Sequence, residues 1–360
     1  MSDKIKIGIT HGDMNGVGYE IIAKSLAPEE ITELFTPIVF GYPELLAEAA
    51  LVSEIESLPF EVVMNAGEAR DGVINVVPPS SPLPELIPGK VSKESGKVAV
   101  EALEMAVDAL RNGEIDVLVT APISKEAVQS EGFNFAGHTE FLEDRLGDGA
   151  KSLMILCNEN LKVALLSVHL PISEVASRVT EENIIGAVEG FTESLKRDFG
   201  KERPTIAVLS LNPHAGDGGL LGSEEINIIM PALQKLRDNK ILAFGPFAAD
   251  GFFGHGSFAK FDGILAMYHD QGLAPFKTLA TSGGVNFTAS LPYVRTSPDH
   301  GTAFDIAWKG EADPTSIKEA IYMAIDIFRR RERYAEMTEN PLKKFVQEKP
   351  DKGERLEKNP

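Results

Sequence analysis

The sequence predicts an α/β protein with a largely parallel sheet, and three observations carry that prediction. Short apolar runs of β-type residues alternate with helical patterns along most of the chain. The helical patterns are long enough to lie between parallel strands. The length, 360 residues, suits two domains or one large α/β unit and is ample for a sizeable core.

The elements follow in order. Ile5–Thr10 reads as the first strand, then a glycine-rich turn and a helix near Glu20–Leu26. Ile38–Phe40 and Val73–Val76 read as strands. Pro78–Pro88 holds five prolines and reads as an extended loop. Ser92–Asn112 predicts an amphipathic helix, because Val98, Ala102, Leu103, Ala106 and Leu110 recur at helical spacing. Val117–Thr120 is a short buried strand, and a helix follows over 139–146. Leu153–Leu156 and Val163–Val168 lie close enough to be neighbours in a sheet. Then come a helix at Glu181–Phe199, a strand at Ile206–Leu211, a helix at Glu224–Arg237 and a strand at Gly263–Met267. Thr315–Tyr334 is the last long helix, and Thr338–Pro360 reads as a charged, frayed tail.

Charge and cysteine content exclude several classes. The net charge is −19, and the first 200 residues hold −18 of it. A long polyanion such as nucleic acid needs clustered Lys and Arg, so that partner is excluded. The single cysteine, Cys157, rules out a disulfide framework and a thiolate metal cluster. The apolar runs fall far short of the roughly 20 residues of a membrane helix. Met1–Lys6 lacks the apolar stretch of a signal peptide. The expectation is a soluble protein of the cytoplasm.

Three histidines share one context. His169, His214 and His269 each follow an apolar strand, at the carboxyl edge where open α/β sheets bind ligands. Three imidazoles from one edge can hold a divalent ion and leave a position open for substrate. A histidine at a strand end is also commonly structural, and no His-x-x-x-His pair adds a local signature. His138 and Thr139 open a helix after Gly137. They read either as a cap or as polar groups offered to an anion. His11 follows the first strand and lines the same edge or serves only as a turn residue.

The turn Gly12-Asp-Met-Asn-Gly-Val-Gly-Tyr-Glu20 invites a dinucleotide reading, but its glycines stand at 12, 16 and 18. It is not Gly-x-Gly-x-x-Gly, so that fingerprint fails. A second glycine loop runs from Pro213 to Gly222. Lys277 and Arg295 are the only cations in Gly272–Ser297, a stretch without acids that also holds Asn286. Together they could clamp a phosphate. Asp250 and Asp270 could orient imidazoles or bind an ion, and Lys125 could act in proton transfer.

At this point the chain resembles the 4-hydroxythreonine-4-phosphate dehydrogenases of pyridoxal phosphate biosynthesis. Ala136-Gly-His-Thr-Glu140, His169-Leu-Pro-Ile, Asn212-Pro-His-Ala-Gly216, Gly245-Pro-Phe-Ala-Ala-Asp250 and Tyr268-His-Asp-Gln-Gly272 carry the resemblance. Lys277, Asn286 and Arg295 follow at the family's offsets. The likeness runs from Ile5 to about Phe328. One stretch departs: where the family usually has Pro-Gly-Asp-Pro-Ala-Gly-Ile-Gly-Pro-Glu, this chain has His11, Asn15 and Tyr19 at three of the positions.

The resemblance implies a fold like that of isocitrate and isopropylmalate dehydrogenases: two α/β/α domains with the active site in the cleft between them. It divides the chain into 1–130 with about 296–345, then 131–295, with 346–360 as the charged tail. It implies oxidation and decarboxylation of 4-phosphooxy-L-threonine to 3-amino-2-oxopropyl phosphate, with NAD or NADP. One divalent ion (zinc, magnesium or cobalt) would sit on His169, His214 and His269. His138, Thr139, Lys277, Asn286 and Arg295 would bind substrate. Lys125, Asp250 and Asp270 are the candidates for proton transfer, with His11 a weaker one. A homodimer would share the site, with His269 reaching across. Relatives acting on erythronate or threonate 4-phosphate are an alternative. So are a metal-dependent lyase or hydrolase without NAD and a non-catalytic binding protein.

Overall fold

The computed structural model describes residues 4–129, 133–135, 137–280 and 283–341. The expected tail, 346–360, lies outside the described residues. Among the described residues twelve strands form one sheet. In chain order they are β1 Lys6–Thr10, β2 Thr36–Phe40, β3 Phe60–Val62, β4 Ile74–Val77, β5 Val117–Thr120 and β6 Leu153–Cys157. Then follow β7 Lys162–Leu165, β8 Thr205–Leu209, β9 Leu242–Phe247, β10 Gly263–Ala266, β11 Val285–Ala289 and β12 Val294–Pro298. The order across the sheet is β3-β4-β2-β1-β5-β12-β11-β6-β7-β10-β8-β9.

Direction along this order matters for the site. The strands from β3 to β12 are all parallel. So are β7, β10, β8 and β9. Three antiparallel pairings, β12/β11, β11/β6 and β6/β7, separate the two blocks. An odd number of reversals leaves the blocks pointing in opposite directions. Even so, Ala121 and Pro122, just past β5, and His169, past β7, line one cavity. The His11 ring is fully buried and stacked on Tyr19, so of its two readings the turn residue is the one observed.

Local chemistry explains the elements that the sequence predicts well. The helix Lys93–Arg111 starts at Ser92, whose hydroxyl accepts from Ser95 N at 3.0 Å. Such a cap contributes about 1 kcal/mol. Its buried stripe includes Val98, Ala102, Leu103, Ala106 and Leu110. The helix Thr315–Glu339 buries Ile317, Ala320, Ile321 and Ala324 and packs on β12.

Other elements differ from expectation. The seventh strand stops at Leu165 and not Val168; beyond it, the Ser167 hydroxyl donates to Met267 O at 2.7 Å. The helix expected over 224–237 begins as a π turn, Glu225–Ile229, before regular helix at Met230–Asp238. β11 and β12 do not read as apolar strands because they carry Asn286, Thr288, Arg295, Thr296 and Ser297. The helix His269–Leu279 is disguised by Gly272 and Pro275.

Candidate active site

The central cavity lies where the strand direction reverses. It encloses about 210 Å³ and is lined by Lys125, His138, Thr139, His169, Asn286 and Arg295, with His300 and Met154 among the rest. Six of the sequence-derived site residues therefore meet in one place. The register explains part of this. Asn286 pairs with Ser297, and the next residues of one face, Thr288 and Arg295, stand opposite each other across β11 and β12. Lys125 begins a short helix beyond β5. His138 and Thr139 begin the helix His138–Leu146, whose start at Gly137 has no side-chain cap. The capping alternative for Thr139 is thus not seen.

Arg295 is the dominant electrostatic feature. It is 2% exposed. Its Nε and Nη2 donate to Thr120 Oγ1 at 3.2 and 2.6 Å, and its Nη1 to Thr288 Oγ1 at 3.0 Å. No carboxylate forms an ion pair with it among the described residues. Burial pushes its pKa down to about 9, and the Glu140 charge partly offsets this. It stays cationic at neutral pH. A buried cation held only by hydroxyls is costly unless an anion joins it.

The neighbouring groups complete the polarity. Burial, and then the charges of Arg295 and Lys125, hold the His138 pKa well below the usual histidine range. Its imidazole is neutral, and its buried Nε2 has no hydrogen-bond partner among the described residues. The same holds for Asn286 Oδ1 and His300 Nε2. His300 was legible only as a histidine in a glycine-rich loop, and its place in the cavity comes from the fold. Lys277 does not line the cavity. Its Nζ donates to Asp299 O at 2.8 Å, next to the rim residue His300.

The three candidate metal ligands leave adjacent strands. β7, β10 and β8 are neighbours and parallel, so His169, His269 and His214 leave one edge. His169 Nδ1 lies 3.1 Å from Glu140 Oε1, and His269 Nδ1 lies 2.7 Å from Asp270 Oδ1. A carboxylate on Nδ1 orients an imidazole and leaves Nε2 for an ion. His169 and His269 line one cavity with Tyr268 and Asp270. His214 lines another with Asp250, Asp270 and Tyr268. Among the described residues of one chain, no group of three or more His, Cys, Asp or Glu stands close enough to hold an ion. The donor chemistry and the Nδ1 partners nevertheless fit a divalent metal.

The turn after β1 is closed. Every residue from His11 to Glu20 is buried. Asn15 Oδ1 accepts from Ile87 N at 2.9 Å, and its Nδ2 donates to Lys90 O at 2.9 Å. Val17 N donates to Thr302 O at 3.1 Å, and Trp308 Nε1 to Met14 O at 2.9 Å. His11 stacks on Tyr19 with centroids 5.0 Å apart. Protein fills the space before the helix Gly18–Leu26, so this turn offers no seat for a phosphate. His11 is likewise outside the cavity.

Fold and site together define an α/β protein with a cavity around a buried cation and a histidine-lined edge. Comparison with known proteins gives the family. The model for "Pyridoxal phosphate biosynthetic protein PdxA" matches residues 33–324. A 4-hydroxythreonine-4-phosphate dehydrogenase of Bacteroides thetaiotaomicron is 51% identical over 354 residues, covering 98% of this chain and 97% of the relative. The crystal structure of 4-hydroxythreonine-4-phosphate dehydrogenase from Klebsiella pneumoniae superposes with a TM-score of 0.78 at 35% identity, over 91% of this chain and 98% of that one. An Oceanobacillus iheyensis relative, 39% identical over 91% of this chain and 99% of its own, provisionally carries the name D-threonate 4-phosphate dehydrogenase. The chain belongs to the PdxA family.

Proposed function

We propose that this protein is a nicotinamide-dependent dehydrogenase that oxidises and decarboxylates 4-phosphooxy-L-threonine to 3-amino-2-oxopropyl phosphate in pyridoxal phosphate biosynthesis. The observation that carries the reading is the buried guanidinium of Arg295, in an ion pair with no carboxylate among the described residues, in a cavity with Lys125, Asn286 and neutral His138. Such a pocket suits a small phosphorylated acid. The relatives' names supply the substrate.

Arg295 and Asn286 bind the phosphate end, and Lys277 secures the Asp299–Gly301 rim. His138 and Thr139 hold the substrate's polar groups from the helix start. Glu140 and Asp270 fix the orientation of His169 and His269. Lys125 exchanges a proton at the cavity wall, and Asp250 and Asp270 are the alternatives beside His214. A divalent ion on His169, His214 and His269 would supply Lewis-acid polarisation of the substrate hydroxyl. Three imidazoles suit zinc or cobalt better than magnesium. NAD or NADP would accept the hydride.

The reading also includes a cytoplasmic homodimer with a shared site and a two-part chain, 1–130 with about 296–345 against 131–295. The return of β12 to pair with β5 supports that division. No helix among the described residues is long and apolar enough to cross a membrane.

The Oceanobacillus relative favours one second reading, with threonate 4-phosphate as substrate. A panel of four-carbon acid phosphates, tried with NAD and NADP and defined metals, separates the two by absorbance of the reduced nicotinamide. Fastest turnover of 4-phosphooxy-L-threonine is expected. Turnover without reduced nicotinamide would instead indicate a lyase or hydrolase.

A further inference from the structure

His214 sits in an unusual backbone. Five successive residues, His214 to Gly218, have φ values of 53, 52, 80, 44 and 65°. Three of them, His214, Ala215 and Asp217, carry a Cβ. A residue with a Cβ is strained in the left-handed region. Left-handed residues persist in a row only where the surroundings impose them.

One side chain braces the entry and the apex of the turn. Glu225 is 1% exposed. Its Oε1 accepts from Leu211 N at 2.9 Å and Asn212 N at 2.8 Å, the residues that lead into the turn. Its Oε2 accepts from Asn212 Nδ2 at 3.0 Å. The same oxygen lies 2.7 Å from where a Cβ on Gly216 would stand, so it occupies the seat that the glycine leaves at the apex. Glu225 opens the π turn Glu225–Ile229, a form concentrated at functional positions.

We propose that Glu225 is a positioning residue that holds the left-handed turn and so presents His214 at the β8 exit. This rests on the reading of His214 as a metal ligand. Glu225 touches neither substrate nor ion. It sets where one imidazole stands before any ion arrives, which removes an ordering cost from binding.

The test uses the full-length, metal-free protein and its Glu225→Ala and Glu225→Gln variants. Amide hydrogen exchange is read over residues 211–219 and elsewhere, and cobalt(II) is titrated by calorimetry. Glu225→Ala is expected to speed exchange over 211–219 at least about tenfold while leaving the sheet unchanged, and to weaken cobalt binding by about 10- to 100-fold, as loss of a ligand-orienting group does. Glu225→Gln keeps Oε1 but sets an NH2 against Asn212 Nδ2, which Glu224 Oε2 also engages at 2.7 Å. It is expected to fall between. Unchanged exchange over 211–219, or wild-type cobalt affinity, in folded Glu225→Ala overturns the proposal. If that variant does not fold, wild-type behaviour of Glu225→Gln in both readouts overturns it. Failure of the unaltered protein to bind cobalt would overturn the metal reading instead, and the exchange data would still decide whether Glu225 holds the turn.

Discussion

Two glycine-rich turns follow strands in this chain, and they have opposite fates. The turn after β1, Gly12–Gly18, is buried throughout and bonded to the segments around Lys90, Pro122 and Thr302. The turn after β8 is mostly exposed, left-handed and carries His214. In the first, glycine serves close packing: a Cβ on Gly12 would lie 2.2 Å from Pro122 O, and one on Gly18 2.0 Å from His11 O. In the second, a Cβ on Gly218 would meet nothing within 4 Å, so this glycine serves the backbone angle. Glycine spacing alone does not tell a ligand loop from a packing joint. What surrounds the glycine does.

Substitutions can break or sharpen that contrast. The largest effect is expected from Gly12→Ala, which combines a backbone clash with a φ of +71°. It should cost about 4 kcal/mol or more, or leave no soluble protein. Denaturant melting that shifts by less than about 1 kcal/mol would show that the first turn has room after all.

His214→Ala should do the reverse. The side chain is exposed, so the melting midpoint should stay within about 0.5 kcal/mol of the parent. Activity should fall by more than about 10²-fold, as loss of a Lewis-acid ligand implies. Bound metal, read by elemental analysis, should be lost, and stoichiometric metal in this variant would remove His214 from the ligand set.

Acid should act on the first turn. Burial pushes the His11 pKa from 6.5 to about 4. The folded state therefore prefers the neutral ring, while the unfolded chain takes up a proton near 6.5. The stability linked to His11 is fully present above about 6.5 and lost as pH falls from there towards 4, about 3 kcal/mol in all. Denaturant midpoints measured across that window should flatten in His11→Phe by the same amount. An unchanged slope would mean that the ring is hydrated.

The smallest effect is expected from Gly218→Ala. With open space around it and a φ of +65°, it should cost only about 1–2 kcal/mol, all of it backbone strain. Its melting curve placed beside that of Gly12→Ala gives the contrast directly.

Local pattern determined a good deal of this protein. The run Val117–Thr120 and the helix from Ser92 to Asn112 match their predicted bounds, because an apolar run or stripe and a serine cap act within a few residues. The positions of His169, His214 and His269 past apolar strands were legible for the same reason. So was the failure of the dinucleotide fingerprint, which needs only glycine spacing.

The tertiary structure alone decided the rest. Nothing local announces that three reversals join the two parallel blocks into one sheet, or that His11 is buried against Tyr19. Arg295 and Asn286 look like residues of an irregular loop until β11 and β12 pair, because polar strands buried on a cavity lack the apolar signature. Glu225 reads as an ordinary acid opening a helix. Its role at the His214 turn depends on contacts between residues 9 to 14 positions apart, set only when the chain closes on itself. Strand and helix formation follow from side chains near in sequence. The site follows from groups brought together by long-range pairing, where burial sets both their charge and their orientation.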